Sequence, residues 1–199
     1  MRYFAFSVAV MFLYGCELLP LVSLAPYGYH AYQDAREEEA NEQMSVLQGE
    51  WKQRNEQYAL VYGQRVFAKD YNKVFTSVVT ALSGEGMTVK NMERQSGYIF
   101  AEGPNPLPSA KATELGEESV RIIIEKTGRK DKYITGNYTY VVTVTVSQID
   151  PMSTSVKMRL SMSVNSQDKD KYKFNELYPR TYLEVQRYLL EKIDRQTLS

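Results

Sequence analysis

Hydrophobic and polar positions alternate with a period of two over long parts of the second half of the chain. In residues 155–164, Val156, Met158, Leu160, Met162 and Val164 fall on one side, with Ser155, Lys157, Arg159, Ser161 and Ser163 on the other. Residues 138–147 repeat the scheme, setting Tyr138, Tyr140, Val142, Val144 and Val146 against Thr139, Thr143 and Thr145. This spacing predicts two half-buried antiparallel strands with one wet face, joined through Asp150-Pro151-Met152-Ser153. Shorter strands are expected at 60–67, 87–92, 97–102 and 119–126, and the polar turn 93–96 suits a hairpin.

Elsewhere the period is 3.6. Val74, Phe75, Val78, Val79 and Leu82 share one helical face, and Asp70 is placed to cap that helix. A second helix is expected over 172–195, with Phe174, Leu177, Tyr178, Val185, Tyr188, Leu189 and Ile193 on or near one face. Its main part should begin at Pro179, because a residue without a backbone donor belongs in a first turn. Residues 103–118 hold three prolines and no useful period, which predicts a long loop. The resulting order is β-α-β-β, loop, β-β-β-α. It gives an α+β class: a two-layer domain over 58–199, with an antiparallel sheet of five to six strands and two helices on one face.

Upstream, residues 33–57 read as an acidic amphipathic helix, weakened at Gly49, on which Met44, Leu47 and Trp51 fall at i, i+3 and i+7. Two roles fit. The helix packs back on its own domain, or it is a spacer whose stripe, anchored by Trp51, binds a partner. Residues 16–32 contain two prolines, a glycine and three tyrosines, and are expected to form a membrane-proximal tether rather than a folded unit.

The first fifteen residues have one positive charge, Arg2, and then an apolar run of about eleven residues, shorter than the roughly 20 needed to span a bilayer. That is the layout of an export signal. Leu13-Tyr14-Gly15-Cys16 resembles the lipobox of bacterial lipoproteins, which implies that Cys16 is alkylated by diacylglycerol and becomes the mature N-terminus. Tyr14 departs from the small or β-branched residue usual at its position. The alternatives are a signal anchor interrupted by Glu17 and a signal cut near Ala25. Because Glu17 is not the aspartate that retains enterobacterial lipoproteins, the resemblance implies an outer-membrane lipoprotein facing the periplasm, with inner-membrane anchoring as the alternative.

Charge and reactive groups narrow the chemistry. The chain has 24 basic and 24 acidic residues, one His and one Cys, which argues against a general nucleic-acid binder. The neutrality is divided: residues 33–57 carry three basic and seven acidic residues, and 58–199 carry twenty and sixteen. With His30 and Cys16 both in the leader and tether, Ser-His-Asp, Cys-His and zinc plans lack material. Asp168 and Asp170 begin like a calcium loop, but Tyr172 takes the next ligand position and Pro179 the closing one. Glu117 and Glu118 are adjacent and are expected to point apart. The expectation is a non-enzymatic protein with no metal and no cofactor. Lys126, Arg129, Lys130 and Lys132 form a basic cluster, read as a solvated loop tip or as a contact for anionic lipid or an acidic partner.

The run VFAKDYNKVFTSVVTALSGEGMTVKNMERQSGYIFAEG, with the ending FNELYPRTYLEVQRYLLEKI, is similar to the helix-grip domains of BamC, an outer-membrane assembly lipoprotein, and of related lipoproteins, over about 58–199. The resemblance implies an envelope scaffold, adaptor or accessory subunit, anchored in the membrane through Cys16 and bound to an envelope protein. Met44, Leu47, Trp51 and the basic cluster are then the candidate contacts. The alternative is a module that binds a lipid, glycan or cell-wall ligand on a tyrosine-rich sheet face, in a groove lined by Tyr138, Tyr140 and Tyr182.

Overall fold

The computed structural model describes residues 18–128, 137–165 and 176–198. Its elements are α1 (Leu18–Val61), β1 (Gln64–Phe67), α2 (Tyr71–Gly84), β2 (Thr88–Glu93), β3 (Tyr98–Gly103), α3 (Ser109–Thr127), β4 (Asn137–Asp150), β5 (Ser153–Asn165) and α4 (Pro179–Leu198). The fold is α+β, with one five-stranded antiparallel sheet in the order β1-β5-β4-β3-β2 and a helical N-terminal segment. By its internal contacts the chain divides into two compact units, Met1–Gln43 and Met44–Ser199. The second takes in residues 44–57, which the composition had grouped with the acidic helix.

The alternation of β4 and β5 is realised in the register. Val142 pairs with Leu160, Val144 with Met158 and Val146 with Val156, and all six side chains are buried. Ile99 and Ala101 of β3 continue that face opposite Val144 and Val142. The other face carries Thr143, Thr145, Lys157 and Arg159, all at least partly exposed. Onto the apolar face pack Val74, Phe75, Val78 and Leu82 of α2 and Val185, Leu189 and Ile193 of α4. Each such side chain contributes about 1.5–3 kcal/mol by leaving water.

Local chemistry sets the ends. The Asp70 carboxylate accepts from Lys73 N at 3.1 Å, as an N-cap should, and Gly97 supplies the positive φ of the β2–β3 turn. At the end of α1, the carbonyl of Gly63 accepts from Met158 N at 2.7 Å, while Gln186 Nε2 donates to the Met158 carbonyl at 3.1 Å. These bonds tie the segment after α1, the sheet and α4 together.

Three expectations are corrected. Residues 103–126, read as a loop and a strand, instead lead into and form α3. Pro108 is its N-cap residue, its carbonyl accepting from Ala112 N at 2.9 Å, so the prolines mark the entry to a helix. The β-branched run Val120, Ile122, Ile123, Ile124 mimics a strand, but Leu115 and Ile123 are buried at helical spacing. The strand expected at 60–67 starts only at Gln64, because α1 runs on through Val61. The stretch read as an unfolded tether is helical from the first described residue, Leu18, onward, although Pro20 and Pro26 have no backbone donor to give the helix.

Candidate functional site

Beyond Val142 and Leu160 the same sheet face changes character. The next residues on it are Tyr140 and Met162, which pair with each other, and then Tyr138. Neither α2 nor α4 closes over this end. Instead α3 stands beside it, and a cleft of about 1060 Å³ opens between them. Tyr138, Tyr140 and Met162 line it from the sheet. Ala112, Leu115, Gly116, Val120 and Ile123 line it from α3, and Leu177, Tyr178 and Thr181 from the lead-in and first turn of α4. Lys90, Glu102, Glu117 and Glu176 supply its charged groups. An apolar hollow with a few polar groups is the usual form of a small-ligand site.

The phenols in the cleft stay protonated at neutral pH. Burial, followed by the neighbouring Tyr138, pushes the Tyr140 phenol up to about 12, and burial raises Tyr138 as well. Asn105 orients Tyr140: its Nδ2 donates to the phenol oxygen at 3.0 Å, and its Oδ1 accepts from Leu107 N at 3.0 Å. With that oxygen already accepting, the phenol's own proton is available for an acceptor. Burial also raises Tyr178, helped by its bond to Glu118, whose Oε1 accepts from it at 3.0 Å. Burial alone would raise Glu118, but hydrogen bonds from Tyr178 and Arg180 and the charges of Arg180 and Arg121 together hold it low. Arg180 Nη1 lies 2.7 Å from Glu118, and Nη2 lies 3.3 Å from Glu114. Glu176 is raised, chiefly by burial.

The wall formed by α3 has its own support. Met44, Leu47 and Trp51 of α1 are buried with Ile123, and Ile122 and Tyr178 pack against them. The rings of Trp51 and Tyr178 lie 5.2 Å apart, and Asn55 Nδ2, one turn on, donates to the Leu177 carbonyl at 2.8 Å. Both Ile123 and Tyr178 reach the cleft, so α1 backs the wall from behind.

The structure therefore separates the residues singled out in the sequence. Tyr138 and Tyr140 meet at the cleft. Tyr182 does not: it is buried on the inner face of α4, its oxygen accepting from Leu160 N at 3.2 Å, and Thr181 takes its place in the lining. The stripe Met44, Leu47, Trp51 is covered by the chain itself, so it is not an open partner face. Lys126 is exposed in the last turn of α3, while Arg129, Lys130, Lys132 and Cys16 lie outside the described residues. Glu117 and Glu118 do point apart, one to the cleft and one to Tyr178 and Arg180. The lining residues on α3 were missed, because the segment was read as loop and strand. Ala112, Leu115, Ser119 and Ile123 at steps of three and four were the available signal.

Among the described residues no helix is long and apolar enough to cross a membrane. No family model matches the chain, and no curated protein matches it. Among solved structures, the adenylate sensor from AMP-activated protein kinase in complex with the ribofuranotide ZMP is 12% identical with a TM-score of 0.38. It covers 65% of this chain and 94% of that one, a likeness too slight to carry an argument.

Proposed function

We propose that this chain is a lipoprotein of the bacterial envelope, held at the membrane through Cys16, whose folded unit binds an apolar ligand in the cleft between α3 and the end of the sheet. The cleft carries the reading: about 1060 Å³ lined by Tyr140, Met162, Leu115, Ile123 and Leu177, on a face that is otherwise sealed. Lining of this kind holds its occupant by area and orients it with a few polar groups. The placement of the lone cysteine after an export signal supports the anchor. The function is binding, and no catalytic step is assigned to Glu102, Glu117 or Glu176.

Native mass spectrometry of the full chain released from membranes tests both parts. The expected result is an acylated Cys16 and a bound small molecule in stoichiometric amount. An unmodified Cys16 removes the anchor, and a chain that is always empty, whatever compounds are offered, removes the binding role. Docking of an envelope protein is a second reading, favoured by the exposed Leu60, Val61 and Val66 at the end of α1 and on edge strand β1. Crosslinking from these positions and from Lys126 in intact cells tests it; the absence of any protein adduct would remove it.

A further inference from the structure

Two glycines line the cleft, and they differ. Gly103, opposite Tyr140 in the sheet, is required by the chain's own packing, since a Cβ there would stand 2.8 Å from Met87 Cα. Gly116 is not. It lies inside α3, its φ is not positive, and a Cβ would meet nothing within 4 Å. A glycine inside a helix costs about 1 kcal/mol relative to alanine, and no contact among the described residues offsets that cost here. It does leave the helix backbone open to close approach by whatever occupies the cleft.

The polar groups set a second constraint. Tyr140 has a donor to offer, because its oxygen accepts from Asn105 and its proton has no acceptor among the described residues. Among the described residues the charged groups of the cleft are three carboxylates, Glu102, Glu117 and Glu176, and one cation, Lys90. They disfavour an anionic head. Met162, Leu115, Val120, Ile123 and Leu177 give the hollow an aliphatic lining against which a conformationally adaptable chain can lie, and the rings of Tyr138, Tyr140 and Tyr178 complete it.

From these features, and resting on the binding role proposed above, we infer that the cleft holds the acyl chain of a lipid whose head carries no net negative charge. The chain runs against the α3 backbone at Gly116, and the ester or amide carbonyl accepts from the Tyr140 hydroxyl.

The test is calorimetric titration of the full chain, stripped of lipid, with lysophosphatidylcholines of increasing chain length, each kept below micelle formation. Binding should be one to one and should tighten by about fourfold for each added methylene until the cleft is full. Lysophosphatidylglycerol of the same length should bind about tenfold more weakly at low salt, with the gap narrowing as salt is added. Gly116→Leu should weaken binding by tenfold or more, and Tyr140→Phe by roughly fivefold. Gly116→Ala gives the sharpest outcome. It should raise the melting temperature by roughly 2–4 °C while weakening binding, and this gain in stability separates a blocked cleft from a damaged fold.

Affinity independent of chain length, or equal affinity for the anionic lipid at low salt, would overturn the lipid assignment. So would lysolipid binding that Gly116→Leu leaves unchanged. If the lysolipids fail while another compound is bound and is lost in Gly116→Leu, the acyl assignment falls and the binding role stands. If no compound responds to Gly116→Leu, both fall.

Discussion

One sheet face has two fates in this molecule. Over Val142, Val144, Val146, Val156 and Met158 the alternating apolar residues are sealed beneath α2 and α4, with no more than 2% of their surface exposed. A few residues along the same strands, in the same phase, Tyr138, Tyr140 and Met162 are only partly covered and border a cleft. Periodicity is identical in the two halves, so alternation decides which side of a strand is apolar but not what covers it. The difference lies in side-chain type and in the helix above. Compact β-branched residues close a helix–sheet interface, whereas tyrosines carry a polar tip that stays at an opening.

The comparison is broken most severely if the open half proves loosely built. Its wall, α3, is backed by Trp51, so Trp51→Ala should destabilise the folded unit by about 3–5 kcal/mol in urea unfolding. A loss near zero would mean that the stripe on α1 is free in solution, as the partner-binding expectation required, and that the wall of the cleft has no firm backing.

The two methionines of β5 sharpen the contrast, since they share strand, face and residue type. Met158 is 1% exposed opposite Val144, while Met162 faces the cleft opposite Tyr140. Met158→Ala should cost about 2–5 kcal/mol and leave the affinity for the longest lysolipid unchanged. Met162→Ala should cost less than about 1 kcal/mol and lower that affinity. Equal losses of stability at the two positions would show that the cleft is in effect part of the core.

Much of this was legible in the chain. The long strands, α2 with its Asp70 cap, and the start of α4 at Pro179 follow from period and end chemistry, and Tyr138 and Tyr140 were singled out from the abundance of tyrosine and their shared sheet face. What escaped was α3. A β-branched run preceded by prolines satisfies strand rules locally, and only contacts far along the chain, Ile123 with Trp51 and Leu115 with the core, select the helix. With α3 hidden, half of the cleft was hidden too. Tyr182 was grouped with the sheet tyrosines by type, although its place on α4 directs it inward to Leu160.

Glycines mark the boundary in a third way. At the sealed end Gly97 has φ +71°, and a Cβ there would collide with the carbonyl oxygen of Val146. Gly97→Ala should therefore destabilise by about 1–3 kcal/mol, whereas Gly116→Ala should stabilise. Differential scanning calorimetry of the two variants reads this difference in sign directly. Two shifts in the same direction would mean that Gly116, too, is held by contacts within the chain.

The smallest expected effect concerns a titrating group that only the open half tolerates. Glu176 borders the cleft, and burial raises its carboxyl above the ordinary value of 4.5. Lys52 and a hydrogen bond from Asn55 pull it back in part, while Glu56 pushes it up. Below pH 4.5 the carboxyl is protonated in folded and unfolded chains alike and contributes nothing. As the pH rises above that value the unfolded chain ionises first, so stability falls until the folded carboxyl has also lost its proton, and then levels off. Glu176→Gln cannot ionise, and its amide can donate to Asn55 Oδ1, a buried oxygen with no hydrogen-bond partner among the described residues. The variant should match the parent chain near pH 4 and exceed it at pH 7, by less than about 1 kcal/mol because the side chain is only partly buried. Urea unfolding at the two pH values measures the difference. A larger gain at pH 4 than at pH 7 would mean that the folded carboxyl is held low rather than high, and that this edge of the cleft accommodates a negative charge the sealed half of the face has no means to solvate.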